Sequence, residues 1–253
     1  MGALHTGHLS LMRAAREECD FVIVSIFVNP TQFGPNEDFQ KYPRDLAADL
    51  RGCDEAGVDL VFHPNVETMY PPGDTTFVEV GGLSTILEGK FRPGHFRGVA
   101  TVVLKLFNIV PADVAFFGQK DYQQQTIIRQ MCSDVRLPIE IRVCPTIRET
   151  DGLALSSRNV FLQGQARQSA LALSRCLNLA KQMVHERAQP VEGIRARMLE
   201  TLASTPLVRP EYATLIHPDT LEEVTTLLPK VVAIVAARVG ETRLIDNLII
   251  EVE

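Results

Sequence analysis

The chain has 253 residues, 45% hydrophobic and 22% charged, enough apolar material for a large core and near the size at which one domain gives way to two. A net charge of −6 and a pI near 5.6, with lysines and arginines dispersed, exclude a basic footprint for nucleic acid. The five cysteines are odd in number and never Cys-x-x-Cys, and no apolar run reaches membrane-span length, so the reading is a cytoplasmic protein with free thiols and no membrane partner.

The chain opens on Met1-Gly2-Ala3-Leu4-His5-Thr6-Gly7-His8, a glycine turn with two histidines. Leu9, Leu11, Met12, Ala14 and Ala15 then recur at helical spacing as far as Cys19, so His5 and His8 fall on the turn and first residues of a helix. Free N–H groups and the positive end of the helix dipole meet there, and two imidazoles three residues apart can donate to one anion. Phosphate is the natural ligand. Zinc would need a third ligand, and Cys19 and Glu18 lie on the helix itself. The bland alternative is two ordinary satisfied histidines.

Phe21 to Val28 is a continuous apolar, β-branched run that predicts a strand buried on both faces, as in parallel sheets. It ends in Asn29-Pro30-Thr31-Gln32-Phe33-Gly34, where open α/β sheets bind ligands, which makes Gln32 a site candidate. A helix is expected near Leu46 to Ala56 and a strand at Val58 to Phe62, then a short strand at Thr76 to Val80 and a short helix at Leu83 to Leu87. Gly89 to Gly98 sets three glycines and three cations before an apolar helical run from Val99 to Ile109; a solvated loop and a cover over phosphate have equal claim. Asp113 to Phe117 predicts a buried strand running into Gly118-Gln119-Lys120-Asp121, with Lys120 as a ligand cation at a second strand end on the same sheet edge. Ile139 to Cys144 reads as a further strand.

From Glu149 to Asn159 the sequence turns small and polar, which puts the domain boundary there: 1–148 and 149–253. Helical patterns at Gln165 to Glu186 and Val191 to Ala203 precede strands at Glu211 to Ile216, Val231 to Val239 and Leu244 to Val252, a small α+β domain behind a parallel α/β one.

Met1 to His8, Ser25-Ile-Phe-Val-Asn-Pro-Thr-Gln-Phe33, Leu87-Glu-Gly89 with Arg92-Pro-Gly-His-Phe-Arg-Gly98, Phe117-Gly-Gln-Lys-Asp-Tyr-Gln-Gln124, Asp151-Gly-Leu-Ala-Leu-Ser-Ser-Arg-Asn159 and Leu244-Ile-Asp-Asn247 stand in order along the whole chain. Together they resemble the pantothenate synthetase family of the nucleotidyltransferase superfamily. The resemblance implies a Rossmann-like parallel sheet of the nucleotidyltransferase type binding nucleotide and pantoate, with the smaller α+β C-terminal domain as a lid. It implies ATP-dependent condensation of pantoate with β-alanine to pantothenate through a pantoyl adenylate, releasing AMP and pyrophosphate. Mg2+ would accompany ATP with no protein ligand assigned, and the assembly would be a homodimer.

Carried over position by position, the resemblance implies an ATP site from Met1, Gly2, Ala3, Leu4, His5, Thr6, Gly7 and His8, from Gly118, Gln119, Lys120 and Asp121, and from Ile147, Leu155, Ser156, Ser157 and Arg158. His5, His8, Lys120, Ser156 and Arg158 are the catalytic candidates, clamping the triphosphate from both sides. Gln32 and Gln124 are the pantoate positions, each amide offering a donor and an acceptor, with Phe33 as a wall for the dimethyl carbon. Such a reaction needs positioning, cations and N–H donors rather than an enzyme nucleophile.

Another nucleotidyltransferase with a phosphate-bearing acceptor is the first alternative, though Gln32 and Gln124 favour a hydroxylated carboxylate. A catalytically impaired nucleotide-binding protein is the second. It arises because the family places a strand and a Pro-Thr pair before the position of Met1, and a right-handed βαβ unit needs that strand. The expectation is an open side beside Phe21 to Val28 or a poorly anchored Met1 to Thr6, with lower stability and activity.

Overall fold

A computed structural model describes residues 2–35, 37–187 and 189–252. The chain forms two compact units, Met1–Gln119 with Gln123–Ile147, and Lys120–Tyr122 with Arg148–Glu253.

In the first unit, α1 (Thr6–Glu18) buries Met12 and Ala15 and leads into β1 (Ile23–Ser25). The helix α2 (Leu46–Glu55) crosses over to β2 (Leu60–Phe62), which pairs with β1 in parallel, Ile23 opposite Leu60 and Ser25 opposite Phe62. Among the described residues β2 is the only strand partner of β1. The ladder closes where the Ile26 N–H donates to the Phe62 carbonyl at 2.9 Å; Pro30 and Pro64 follow shortly, and neither can donate. The regular strand is therefore shorter than the apolar run. Burial on both faces is not what the run shows either: Val22, Ile26 and Phe27 are buried, but Phe21 is 59% exposed and Ile23 37%.

Two further expectations shift between α3 (Val66–Met69) and α4 (Glu88–Phe91). Thr76 to Val80 forms no strand, and the Val78 N–H donates to the Thr101 hydroxyl at 2.9 Å. Leu83 to Leu87 is a series of turns, with the helix one turn later. The reason is Gln123, 2% exposed. Its Nε2 donates to the carbonyls of Leu83 and Ile86, at 2.7 and 2.8 Å, and its Oε1 accepts from Glu88 N–H at 2.9 Å. The Leu83 carbonyl is thereby diverted from a helical ladder, the Ile86 carbonyl is shared with the Gly89 N–H at 2.9 Å, and Leu87, at φ 46°, breaks the coil.

Gly94, at φ 83°, turns the chain into α5 (His95–Ile109), which buries Phe96, Val99, Ala100 and Val102. Next come β3 (Val114–Gly118), α6 (Tyr122–Asp134) and β4 (Glu140–Cys144). The strands β3 and β4 form a second parallel pair, Val114 opposite Glu140 and Gly118 opposite Cys144. Phe96, Val99 and Ala100 share a cluster with Ile127, Ile128 and Met131 of α6. Met12, Ile26, Cys53 and Ala56 make a separate one.

The second unit is built on α7 (Gly164–Glu186) and α8 (Val191–Ala203). Ala170, Leu173, Leu177, Ala180 and Val184 recur every three or four residues and form the buried stripe of α7. It packs with α8 on an antiparallel sheet of β5 (Val208–Ile216), β6 (Lys230–Val239) and β7 (Thr242–Glu251), in the order β5-β6-β7. Pro210 sits beside a register shift on β5, an edge strand where a missing donor is tolerated. Central β6 is buried from Val231 to Ala237. Truncating Leu177 or Ile194, 1% and 0% exposed, to Ala would cost about 2–5 kcal/mol. Parallel α/β in the first unit and α+β in the second are the architecture the sequence predicts.

Candidate active site

His5 is the N-cap of α1. Its Nδ1 accepts the Gly7 N–H at 3.1 Å, and Nδ1 of His8 accepts the His5 N–H at 3.3 Å. Two imidazoles thus make the capping box usually built from Ser or Thr and Glu or Gln. Because each Nδ1 accepts, each ring carries its proton on Nε2. The rings lie 4.1 Å apart, inclined by 40°. Asp49 of α2, 3% exposed, holds the turn from below: Oδ2 accepts the Ala3 N–H at 2.9 Å and Oδ1 the Leu4 N–H at 2.6 Å. A Cβ on Gly2, at φ 94°, would lie 3.1 Å from Asp49 Oδ2, so only glycine passes here without strain. Met1 lies outside the described residues. Gly2 to His8 form one anchored feature, and among the described residues β1 pairs with β2 alone.

After β1, Pro30–Gln32 forms a single 3-10 turn capped by Asn29. Asn29 Oδ1 accepts from the Thr31 N–H at 3.3 Å and the Tyr70 hydroxyl at 2.8 Å. Its Nδ2 donates to Gln32 Oε1 at 3.0 Å and to the Gly98 carbonyl at 3.1 Å. The carbonyl end of the Gln32 amide is thereby engaged, which fixes how that amide is flipped. Gln32 is 8% exposed. Phe33 packs on Phe39 and Tyr42 with ring centroids 5.3 and 5.9 Å away. Gln124 is half-buried in the first turn of α6, beside the structural Gln123.

Within Gly89–Gly98, Lys90 and Arg97 are exposed, whereas Arg92 is drawn inward. Arg92 lays a fork on Glu37, Nε to Oε1 at 2.7 Å and Nη2 to Oε2 at 2.6 Å. Arg92 Nη1 is 3.0 Å from His95 Nε2, and His95 Nδ1 is 2.8 Å from the Gln32 carbonyl oxygen. Burial, and next the Arg92 charge, push the His95 imidazole down to about 4, against the pull of the Gln32 carbonyl and the Glu88 and Glu37 carboxylates. For Glu37, burial acts upward, but the hydrogen bond and charge of Arg92 outweigh it and hold the carboxyl below its ordinary range.

In the second unit, Lys120, Leu153, Ala154, Ser156, Asn159 and Asp246 line one small pocket. Asn247 Nδ2 donates to the Lys120 carbonyl at 2.8 Å, and Arg148 lays its own fork on Asp246 at 2.7 and 2.9 Å. Asp246 is 2% exposed, so the pair is a fixed strut under the pocket. Ser156 caps the 3-10 helix Ser157–Phe161, its Oγ accepting the Arg158 N–H at 3.2 Å. Ser156, Ser157 and Arg158 therefore follow one another on one short element, with Leu155 just before it. Lys120 and Asp121 group with this unit, whereas Gly118, Gln119 and Ile147 belong to the first. The strand β3 pairs with β4 and not with β1, so Lys120 does not repeat Gln32 on one hydrogen-bonded sheet edge as the sequence suggests.

The pantoate-beta-alanine ligase family model matches residues 1–249. The chain belongs to the pantoate–β-alanine ligase family. A pantothenate synthetase of Moorella thermoacetica is 53% identical over 252 residues, 100% of this chain and 89% of that protein; one of Roseiflexus castenholzii is 52% identical, over 99% and 90%. Among solved structures, pantothenate synthetase from Thermus thermophilus superposes with a TM-score of 0.95 at 48% identity, covering 98% of this chain and 90% of that one. The ligase from Francisella tularensis, complexed with beta-gamma ATP and β-alanine, gives 0.80 at 38% identity, over 98% and 86%. The nucleotidyltransferase-type fold follows from these likenesses.

For this ligase-family chain, sequence reasoning does not reach Asp49, Asn29, Tyr70 or the Arg148–Asp246 strut. Asp49 carries one signal: an acid in the stripe of α2 shared with Cys53, where an apolar residue is expected. Tyr70 carries none, since its contacts span 41 residues.

Proposed function

We propose that this chain performs its family's reaction, ATP-dependent condensation of pantoate with β-alanine to pantothenate. The observation that carries the reading is the histidine turn, where two imidazoles that carry Nε2–H stand together on the first turn of α1. That set suits phosphate oxygens on which charge builds. The ligands named for the Francisella relative, beta-gamma ATP and β-alanine, support the same substrates here.

In the first step a pantoate carboxylate oxygen attacks the α-phosphorus of ATP, and the bond to pyrophosphate breaks. In the second, the neutral amine of β-alanine attacks the acyl carbon of the pantoyl adenylate; the C–O bond breaks, AMP leaves, and the amine proton passes to solvent. His5 and His8 donate to phosphate, and Gly2 to Gly7 let it approach closely. Lys120, Ser156, Ser157 and Arg158 are the nucleotide donors of the second unit. Gly118, Gln119, Asp121, Ile147 and Leu155 frame the nucleotide. Gln32 and Gln124 hold pantoate, with Phe33 beside its dimethyl carbon. No step needs an enzyme nucleophile.

Among the described residues no group of three or more His, Cys, Asp or Glu side chains is arranged to hold a metal ion. Magnesium would come with the nucleotide and neutralise the pyrophosphate, as suits an ion bound chiefly through phosphates and waters, with no protein ligand assigned. A cytoplasmic location is supported by five cysteines that stay free. Homodimeric assembly rests on the family resemblance.

The deciding experiment is exchange of labelled pyrophosphate into ATP, with and without pantoate and without β-alanine. Exchange that requires pantoate is the expected result. Exchange independent of pantoate, or none at all, would overturn the reading.

A further inference from the structure

Arg92 can only donate, so the His95 Nε2 that lies 3.0 Å from its Nη1 must accept. The imidazole then carries its proton on Nδ1 and donates it to the Gln32 carbonyl at 2.8 Å. The donations run outward from Arg92, to the Glu37 carboxylate on one side and to His95 Nε2 on the other, and the His95 ring donates onward to the backbone of the turn that carries Gln32. All of it is sheltered. His95 is 8% exposed, and the side chains of Arg92 and Glu37 are 12% and 24% exposed.

The turn is gripped from its other side as well. Asn29 bridges Gln32 Oε1 and the Gly98 carbonyl, and a Cβ on Gly98 would sit 2.3 Å from the Thr31 carbonyl oxygen. The start of α5 thus touches the turn backbone directly, three residues beyond the His95 contact. Both ends of the Gln32 residue are held: its main-chain carbonyl by His95 Nδ1 and, at 3.4 Å, by Arg92 Nη2, and its amide oxygen by Asn29.

We propose that Glu37, Arg92 and His95 form a positioning relay that sets the Gln32 turn for the acid substrate, acting through Gln32 and not by contact with substrate. The proposal rests on the reading of Gln32 as a pantoate position. It separates the relay from ordinary structural support, because a loosened turn weakens the acid and leaves the nucleotide, bound at the histidine turn, unaffected.

The test uses steady-state kinetics of the full chain with each substrate varied. His95→Asn places an amide N–H near the Nδ1 position and keeps the donor to Gln32. His95→Gln places it near Nε2 and does not. His95→Ala, His95→Gln and Arg92→Lys, which loses the fork, should each raise KM for pantoate about tenfold with KM for ATP within about twofold, while His95→Asn recovers most of the loss. Adding Gln32→Ala to His95→Ala should cost little beyond Gln32→Ala alone. Equal shifts in both KM values, Gln performing as well as Asn at 95, or additive losses in the double variant would each overturn the relay. If Gln32→Ala by itself leaves pantoate KM unchanged, the substrate reading of Gln32 fails and the relay with it; a large Gln32→Ala effect with additive His95 losses sinks the relay alone. Should His95→Ala not fold, the Asn and Gln pair carries the test.

Discussion

Asp49 accepts the backbone N–H groups of both Ala3 and Leu4, tying the histidine turn to the first turn of a helix 46 residues on. Asp49→Ala leaves two sheltered donors without their acceptor, each costing about 1–3 kcal/mol, and frees the turn. Asp49→Asn should do nearly as much harm, because one of its two positions becomes a donor facing a donor. Thermal melting should show both variants destabilised, with KM for ATP raised more than KM for pantoate. An unchanged ATP KM would mean the turn keeps its shape without Asp49.

His8→Ala and Lys120→Ala each remove one donor proposed for the phosphates. Turnover should fall about 100-fold or more, the usual consequence of losing one transition-state donor. Lys120→Ala should melt like the parent, while His8→Ala should lose slightly more because Nδ1 also caps α1. Rapid-quench measurement of the adenylation step gives the answer directly. Parent-like rates would take these residues out of the mechanism.

Gln32→Ala and Gln124→Ala should weaken pantoate binding far more than ATP binding, since a lost amide penalises only the ligand that used it. Isothermal titration separates the two ligands. Equal losses would make the glutamines organisers of the site instead of readers of the acid.

His95 gives the fold a pH dependence whose sign is set by its burial. Its folded value is depressed to about 4, below the ordinary value near 6.5, so between those limits the unfolded chain binds the extra proton. Stability is complete above about 6.5 and declines as pH falls toward about 4. The depressed Glu37 carboxyl acts only below its ordinary value of 4.5, so the interval from about 6.5 down to 4.5 reports on His95. Urea melts of parent and His95→Asn across that interval should converge as pH falls. Parallel curves would show that the ring does not stay neutral when folded.

Much of the fold is legible in the sequence because its signals are local. The spacing of Ala170, Leu173, Leu177, Ala180 and Val184 announces α7, and the β-branched run at Val231 to Val239 announces a central strand. The failures come where distant groups decide. Gln123 bonds the carbonyls of Leu83 and Ile86 and delays a helix that propensity would begin earlier. The extent of β1 is set by a three-residue partner and flanking prolines, not by the eight-residue run Phe21 to Val28 that suggests it. At the site, His5 and His8 are visible as a motif, but their tautomers follow from the capping box. Nothing in the spacing of Glu37, Arg92 and His95 reveals that they join at the Gln32 carbonyl.

The cores of the two units differ in kind. In the second, α7, α8 and the sheet share one continuous cluster, whereas in the first the core is divided among smaller clusters around α5 and α6, around α1 and α2, and around Phe27, with Val103 packed against the first and the last. Smaller clusters open more readily, so amide hydrogens in α1 and the Asn29–Phe33 turn should exchange through small local openings, and those of β6 only through the unfolding of its unit. A substrate that grips the histidine turn and the Gln32 turn would slow exchange in α1 and around β1 and leave β6 at its old rate. Occupancy of the site would then be readable from the first unit's amides alone, without watching any product form.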